Sequence, residues 1–298
     1  MALDRLNDIR LFLDAAQLGG FSAAGRKHGL SPAAASACIL RMEAALGIKL
    51  FERTTRRLRL TDEGEQYRQA CQIALDTLSD AELALQEGRA TVRGTVRISA
   101  PSDLGRNRLL DYLSEFQQQY PEIKFSLSLS DTNANLVGDE IDLAIRYGQL
   151  PDSTMAARLL ATNHRVVCAS PSLLERVGVP ARPRDLATLP TLVLVTGGGP
   201  MHEWKYAGPE GPNVLRVTHH QTTNDGDVLR KWALQGRGFA LKSRIDIADD
   251  LAAGRLVTVL SDYFAEPAPL NALYHRSTLM PARLRYLIDH LTARFAAM

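Results

Sequence analysis

Ser31-Pro32-Ala33-Ala34-Ala35-Ser36 combines two hydroxyls with a run of methyl groups, a set suited to touching the edges of base pairs. Alanine methyls can lie against thymine methyls, and a serine hydroxyl can bond a base or a phosphate. Shortly beyond, Arg53, Thr54, Arg56, Arg57 and Arg59 crowd cations into one short arm. Residues 1 to 61 hold ten Lys+Arg against five Asp+Glu, a net of +5, and residues 62 to 298 hold 25 against 28, a net of −3, so the overall +2 conceals a basic head. Such a head is the footprint of phosphate neutralisation and counterion release. A solvated charged face is the plainer reading of the same arginines.

These side chains act together only if two short helices present them. Ser22 sits where an N-cap would accept a backbone N–H, and Ala23, Ala24 and Lys27 continue a helix that Gly29 closes in a left-handed conformation. Leu30 is expected to pack inward. Ser31 caps a second helix with Pro32 in its first turn, running to about Leu46 with Gly47 as its stop. The pair reads as a helix-turn-helix whose second helix can enter the major groove, though in isolation an alanine-rich helical hairpin fits as well. From Lys49 to Thr61, Leu58 and Leu60 alternate with Arg57, Arg59 and Thr61, the pattern of a short ribbon with one wet, cationic face.

Thr61-Asp62-Glu63 then starts a helix of about 26 residues. Tyr67, Cys71, Ala74, Leu78, Ala81 and Leu85 recur at spacings of four, three, four, three and four, a heptad seam suited to a two-fold dimer. Packing against the chain's own core is the alternative. Beyond the glycine hinge in Thr91–Pro101, strands and helices alternate. A helix is expected over Leu104–Tyr120 and a strand over Ile123–Leu129. Further strands are expected at Asp142–Arg146, Arg165–Ala169, Leu192–Val195, Val214–Thr218, Gly238–Leu241, Leu256–Leu260 and Leu270–His275, giving α/β units with largely parallel sheets.

The chain closely resembles the LysR-type transcriptional regulators over its whole length. The resemblance rests on the opening helix Leu6–Leu18, F-S-A-A at Phe21, L-S-P-A-A-A-S at Leu30, M-E-A-A-L-G-I-K-L-F-E-R at Met42 and L-T-D-E-G at Leu60. It implies a winged helix-turn-helix over residues 1–61, a linker and dimerisation helix over 62–89 and an α/β effector domain over 92–298. It places Ser31–Ser36 on the recognition helix, the Arg53–Arg59 arm as the wing, and Ser22, Ser31, Pro32, Ala33, Ala34, Ser36, Arg53, Thr54, Arg56 and Arg57 at the DNA. Relatives commonly carry a basic or polar residue after Ser36, where this chain has Ala37 and then Cys38. That departure shifts specificity toward indirect readout. The effector domain implied is two-lobed and similar to periplasmic binding proteins, with crossovers near Ala161 and Pro267: lobe I from 92–161 and 267–298, lobe II from 162–266.

Between such lobes strand ends and helix starts converge, which makes the cleft the natural ligand site. Ser99–Gly105 is a strand-to-helix turn where Ser102 or Asp103 caps a helix and free N–H groups can take a carboxylate. Gln221–Asp227 is the matching helix start, before a helix over Val228–Leu234. Ser102, Thr132, Arg146, Thr222, Thr223 and Asn224 are the candidate effector shell. Ordinary capping explains the hydroxyls and Asn224 equally well, and a salt bridge explains Arg146. Asp103 would repel an anion unless it pairs with a cation or binds an effector hydroxyl.

Catalytic signatures are lacking: no G-x-S-x-G, no H-E-x-x-H and no phosphate loop occurs. His219 and His220 are adjacent and point to opposite faces of a strand, and Cys38, Cys71 and Cys168 show no paired spacing, so neither a metal nor a cofactor is expected. Without a signal-like segment or an apolar run of about 18 residues, a reduced cytoplasmic protein is expected. The partners are then double-stranded promoter DNA, a small organic acid effector, a second copy of the chain through the linker helix with tetramers implied by the family, and RNA polymerase for an activator. Two other classes remain open: a ligand-binding enzyme or transport-type receptor with an accessory helical head, and an architectural DNA binder with a vestigial effector domain.

Overall fold

The computed structural model of the chain describes residues 2–53, 58–87, 92–131, 141–148, 155–208, 211–275 and 280–297. It divides into two units, one consisting chiefly of Met1–Val92 and the other of most of the remaining chain. The first unit runs α1 (Ala2–Leu18), α2 (Phe21–Lys27), α3 (Pro32–Leu46), β1 (Phe51–Arg53), β2 (Leu58–Leu60) and α4 (Asp62–Glu87). Its core gathers Leu11, Phe12, Ala24, Ile39, Met42, Leu50 and Phe51 from every one of these elements except β2 and α4, which add the partly buried Leu58, Leu60 and Tyr67. Phe12 stands 5.4 Å from both the Phe51 and Tyr67 rings, so α1 is the floor on which the ribbon and the long helix rest. β1 and β2 pair antiparallel with Phe51 opposite Leu60.

Two local expectations fail here. Gly20, not Ser22, is the N-cap of α2, and it makes no side-chain cap. The helix starts two residues early because Phe21 is drawn inward, its ring 5.3 Å from Phe51. Leu30 remains 39% exposed; its N–H closes the turn onto Gly25 O at 2.8 Å and leaves the side chain outside. Gly64 explains the glycine of L-T-D-E-G: a Cβ there would collide with the backbone carbonyl of Leu50, so only glycine lets α4 start against the ribbon. Thr61 caps that start, accepting from Gly64 N at 2.9 Å and donating to Lys49 O at 2.7 Å.

The second unit opens with β3 (Gly94–Ala100) and a helical stretch of α5 (Ser102–Leu104), a π turn (Gly105–Leu109) and α6 (Leu110–Gln119). It continues through β4 (Ile123–Leu129), β5 (Leu143–Tyr147), β6 (Met155–Ala161), β7 (Arg165–Ala169), α7 (Pro171–Val177), β8 (Thr191–Thr196), β9 (Gly199–Pro200), β10 (Glu203–Gly208), β11 (Gly211–Arg216) and β12 (His219–Thr223). It ends with α8 (Gly226–Leu234), β13 (Phe239–Ser243), α9 (Ala248–Ala252), β14 (Val257–Val259), β15 (Leu270–His275) and α10 (Ala282–Ala296).

One sheet has the order β4-β3-β5-β15-β6 and the other β12-β8-β13-β7-β14, with β9 beside β8 and β10–β11 as a separate hairpin. We call the first sheet with its helices lobe I and the second lobe II. The chain crosses between β6 and β7 and returns between β14 and β15; the two crossings lie side by side, Arg165 N donating to Glu266 O and Ala268 N to Asn163 O at 2.9 and 2.8 Å. The sheets are mixed, which corrects the expectation of largely parallel ones: β15 runs antiparallel to β5 and β6, and β7 antiparallel to β13 and β14. Helical crossovers make strands parallel only within a lobe. β7 and β15 arrive instead directly from the other lobe.

Glu43 secures the ribbon. Its buried carboxylate accepts from Leu50 N at 2.8 Å and Phe51 N at 3.1 Å, with Lys49 Nζ at 3.2 Å. Burial pushes this carboxyl up, but the two backbone N–H groups and Lys49 outweigh it and hold it below the ordinary glutamate range. Its stabilisation is therefore complete above the pKa of an unfolded glutamate and is lost as pH falls through the depressed folded value. Glu43→Ala should cost about 2–4 kcal/mol in urea unfolding, because two buried donors lose their acceptor. Glu43→Gln should cost less, and the difference between wild type and Glu43→Gln should shrink under acid; equal stability of all three proteins would contradict the assignment.

Candidate functional site

In the first unit, Ser31 Oγ accepts from Ala34 N at 3.2 Å, and Pro32 takes the first helical position of α3. The helix turns Ala35, Cys38, Ile39 and Met42 inward and leaves Pro32, Ala33, Ala34 and Ala37 exposed, with Ser36 partly buried. No acidic residue stands in its first turn, so the positive end of its dipole is open to phosphate. Over the first turns of this face nothing is larger than a proline ring, which allows a groove wall to approach the backbone there. Cys38 is no part of that face: its thiol donates to Asp8 Oδ1 at 2.8 Å, and burial first, then Asp8, push it up to about 12. It ties α3 to α1. Asp14 does the same for the end of α2, reached by Lys27 and His28 at 2.6 Å each.

Ser22 is exposed on α2, and Arg59 is exposed on β2 while Leu58 and Leu60 turn toward the core. The side chain of Arg53 and the whole of Thr54, Arg56 and Arg57 lie outside the described residues. Arg41 is exposed two turns along α3 from Ala34, a cation that capping and turn rules do not single out. In α4, Tyr67 and the buried Cys71 pack toward the unit's own interior, whereas Ala74 is exposed and Leu78 is 44% exposed. The heptad thus divides, its first two members serving the chain's own packing. Ala81 and Leu85 side chains are outside the described residues.

The second unit brings together the two helix starts that the sequence paired, but by contacts of its own. Ser102 is only 2% exposed. Its Oγ accepts from Gly226 N at 2.7 Å, across from lobe I to lobe II, and lies 3.1 Å from Asp225 Oδ1. Neither Ser102 nor Asp103 caps the helix; the N-cap is Pro101, which has no side-chain donor or acceptor. Asp225 caps α8 instead, accepting from Asp227 N and Val228 N at 2.9 and 3.1 Å, and takes Arg106 of lobe I at 2.8 Å. Burial pushes Asp225 up, and Arg106, Val228 N and Ser102 outweigh it, so it stays below the usual range.

Asp103 is resolved by a buried cation. Lys242, 5% exposed, bonds its carboxylate across the lobes and also donates to Gly226 O at 3.0 Å, with Asp246 Oδ2 at 3.6 Å. Burial opposes the ammonium, yet Asp103 and Asp246 raise its pKa above the ordinary lysine value. Asp246 itself is pushed up to about 6 by burial, against the pull of Lys242, and accepts from Tyr147 Oη at 2.6 Å. Asn107 Nδ2 reaches Asp103 Oδ1 at 2.8 Å and Asp227 Oδ1 at 3.1 Å, a further cross-lobe bridge.

The other nominated residues scatter. Arg146 is held by Ser99 Oγ at 2.6 Å and by Ile145 O at 2.7 Å. Thr222 and Thr223 belong to strand β12 and not to a turn, because they pair with Val193 and Leu194 of β8. Thr223 Oγ1 accepts from Asp225 N at 3.2 Å, Thr222 and Asn224 are exposed, and Thr132 lies outside the described residues. A cavity of about 70 Å³ remains between the lobes, lined among others by Asp131, Tyr147, Arg165, Met201, Trp204, Ser243 and Asp246. Arg165 forms no ion pair with a described carboxylate, and its guanidinium meets Met201 Sδ at 3.6 Å. Residues of this kind carried no sequence signal beyond strand patterning. Cys168 is fully buried on β7, where burial pushes its thiol up to about 12.

Residues 6–65 match the bacterial regulatory helix-turn-helix protein, lysR family, and residues 89–296 match the LysR substrate binding domain. Among curated proteins, the HTH-type transcriptional regulator DmlR of Escherichia coli (strain K12) is 34% identical over 294 residues, covering 99% of this chain and 95% of its own. The HTH-type transcriptional activator AaeR of the same strain is 30% identical over 294 residues, covering 98% and 94%. Among solved structures, CrgA, a LysR-type transcriptional regulator from Neisseria meningitidis, superimposes with a TM-score of 0.64 at 30% identity, covering 97% of this chain and 98% of that one. With both domains of the family matched along the chain, the protein belongs to the LysR family of DNA-binding transcriptional regulators with an effector-binding domain.

Proposed function

We propose that residues 1–61 read promoter DNA with α3 in the major groove, that residues 62–89 pair two copies, and that residues 92–298 hold a small organic acid between lobe I (92–161 and 267–298) and lobe II (162–266). The observation that carries this reading is the exposed Pro32-Ala33-Ala34 and Ala37 face of α3, with no acidic residue in the helix's first turn. Ser31, Ser36 and Ser22 supply hydroxyls at its edge, and Arg53, Thr54, Arg56 and Arg57 supply the phosphate contacts of the wing. Exposed Ala74 and Leu78 support a dimer seam on α4, with pairs of dimers as the larger assembly. In the cleft the cavity beside Arg165 and Tyr147 supports a compact acid as effector, and Ser102, Thr132, Arg146, Thr222, Thr223 and Asn224 are the residues proposed to respond to it. The protein acts in the cytoplasm beside the DNA, and as an activator it would contact RNA polymerase. No helix among the described residues is long and apolar enough to cross a membrane.

Replacing both Arg56 and Arg57 with Ala should weaken binding to specific and random duplexes about equally, since phosphate contacts position without reading sequence. The slope of log K against log salt should shrink by about 1.8 per chain, and so by about 3.6 for a dimer with both wings on the duplex, at about 0.9 for each phosphate no longer neutralised. An unchanged slope in titrations at several salt concentrations would take the wing off the DNA.

Leu78 is exposed in the single chain, so Leu78→Asp should leave the fold's stability within about 0.5 kcal/mol of wild type. Buried in a dimer, the same carboxylate would be desolvated without a partner. Sedimentation should then show weaker dimers and gel shifts weaker operator binding. Wild-type association by the variant would remove α4 as the seam.

A further inference from the structure

The donors around Ser102, nominated for an effector's anion, already hold one. Asp131 follows β4 in lobe I, and its carboxylate reaches the junction of the lobes. Oδ2 accepts from Gly226 N at 2.7 Å and from Ser102 Oγ, and Oδ1 accepts from Ser102 N at 3.3 Å. Ser102 N and Gly226 N are the first N–H groups of two helices, the helical stretch Ser102–Gln119 and α8, and have no intrahelical acceptor. Each also stands at the positive end of its helix dipole. One donor comes from each lobe, so a single carboxylate bridges them. Arg106 and Arg146 both feel its charge. Asp225, whose Oδ1 is 3.1 Å from Ser102 Oγ, opposes it and is itself tied to Arg106.

We propose that Asp131 is an internal ligand, a carboxylate of the chain itself that fills the two-helix donor set and clasps lobe I to lobe II when no effector is bound. An effector carboxylate entering at Ser102 must displace it, whereas one received elsewhere in the cavity acts with the clasp in place. That regulatory consequence rests on the cleft being the effector site; the clasp does not.

Deleting the side chain should leave a carboxylate-sized gap with its donors intact. In thermal unfolding of the full chain, Asp131→Ala should melt several degrees below wild type in sodium chloride. Sodium acetate at equal ionic strength should restore part of that loss saturably, while wild type responds to the two salts alike. Asp131→Asn keeps the volume, removes the charge and presents an amide N–H₂ to donors, so it should melt below wild type and show no acetate response. Should Asp131→Ala fail to fold, Asp131→Asn alone decides: a wild-type midpoint overturns the clasp. An acetate effect equal in Asp131→Ala and wild type overturns it as well. Operator binding by the effector-free variants, scored separately, distinguishes a failed clasp from a failed regulator, because acetate rescue does not depend on what the cleft binds in the cell.

Discussion

The buried ammonium of Lys242 sets the terms on which the two lobes meet. A charge taken out of water is strongly unfavourable unless partners surround it, and partners this close fix geometry as well as energy. Here they come from both lobes: Asp103 from the start of α5, and Gly226 O and Asp246 from lobe II. Once Asp103 is drawn onto Lys242, Ser102 beside it is held against Gly226, and Asn107 and Arg106 fall within reach of Asp227 and Asp225. The cavity is what remains beside this junction. Its walls are set by the same residues, since Lys242, Asp246, Gly226 and Asp131 all line it.

The head uses a related device with the signs reversed. Glu43 is a buried anion whose partners are mostly backbone N–H groups, so it fixes where the ribbon leaves α3 and not how two bodies close. Core polarity of this kind is specific because a buried group left without its partners is worse than an apolar one. In the first unit the exposed face of α3 consists of small groups, and the groups that position it are buried and paired. α3 illustrates this within one helix, where Ala34 and Ala37 face outward and Cys38 and Ile39 are buried.

Much of the architecture is legible in the sequence because it follows from local rules. Ser31, Pro32 and Gly47 delimit α3 by capping chemistry, and the strands expected at Arg165–Ala169 and Leu270–His275 have their observed limits. What escapes such rules is decided by distant partners. Met155–Ala161 is not among the expected strands, being rich in Ala, Leu, Met and Arg, yet it pairs with β15, and tertiary pairing overrides propensity. Thr222 and Thr223 read as a helix start because Asn224, Asp225 and Gly226 follow them, but the cap is one residue and the strand beside β8 claims the rest. Lys242 cannot be found as a junction residue from G-F-A-L-K-S, since its partner Asp103 is 139 positions away. Asp103 looks awkward in the sequence for the same reason.

Closure of the lobes depends above all on the cross-lobe pair of Asp103 and Lys242, and a double-mutant cycle tests this most directly. Asp103→Asn, Lys242→Met and the double variant would be unfolded in urea with the wild type under identical conditions. Each single change strands a buried partner and should cost about 3–5 kcal/mol, whereas the double variant should lose much less than the sum. The coupling should then exceed about 2 kcal/mol. Costs that add to within about 0.5 kcal/mol would mean that the two residues act independently and that the lobes are held by something else.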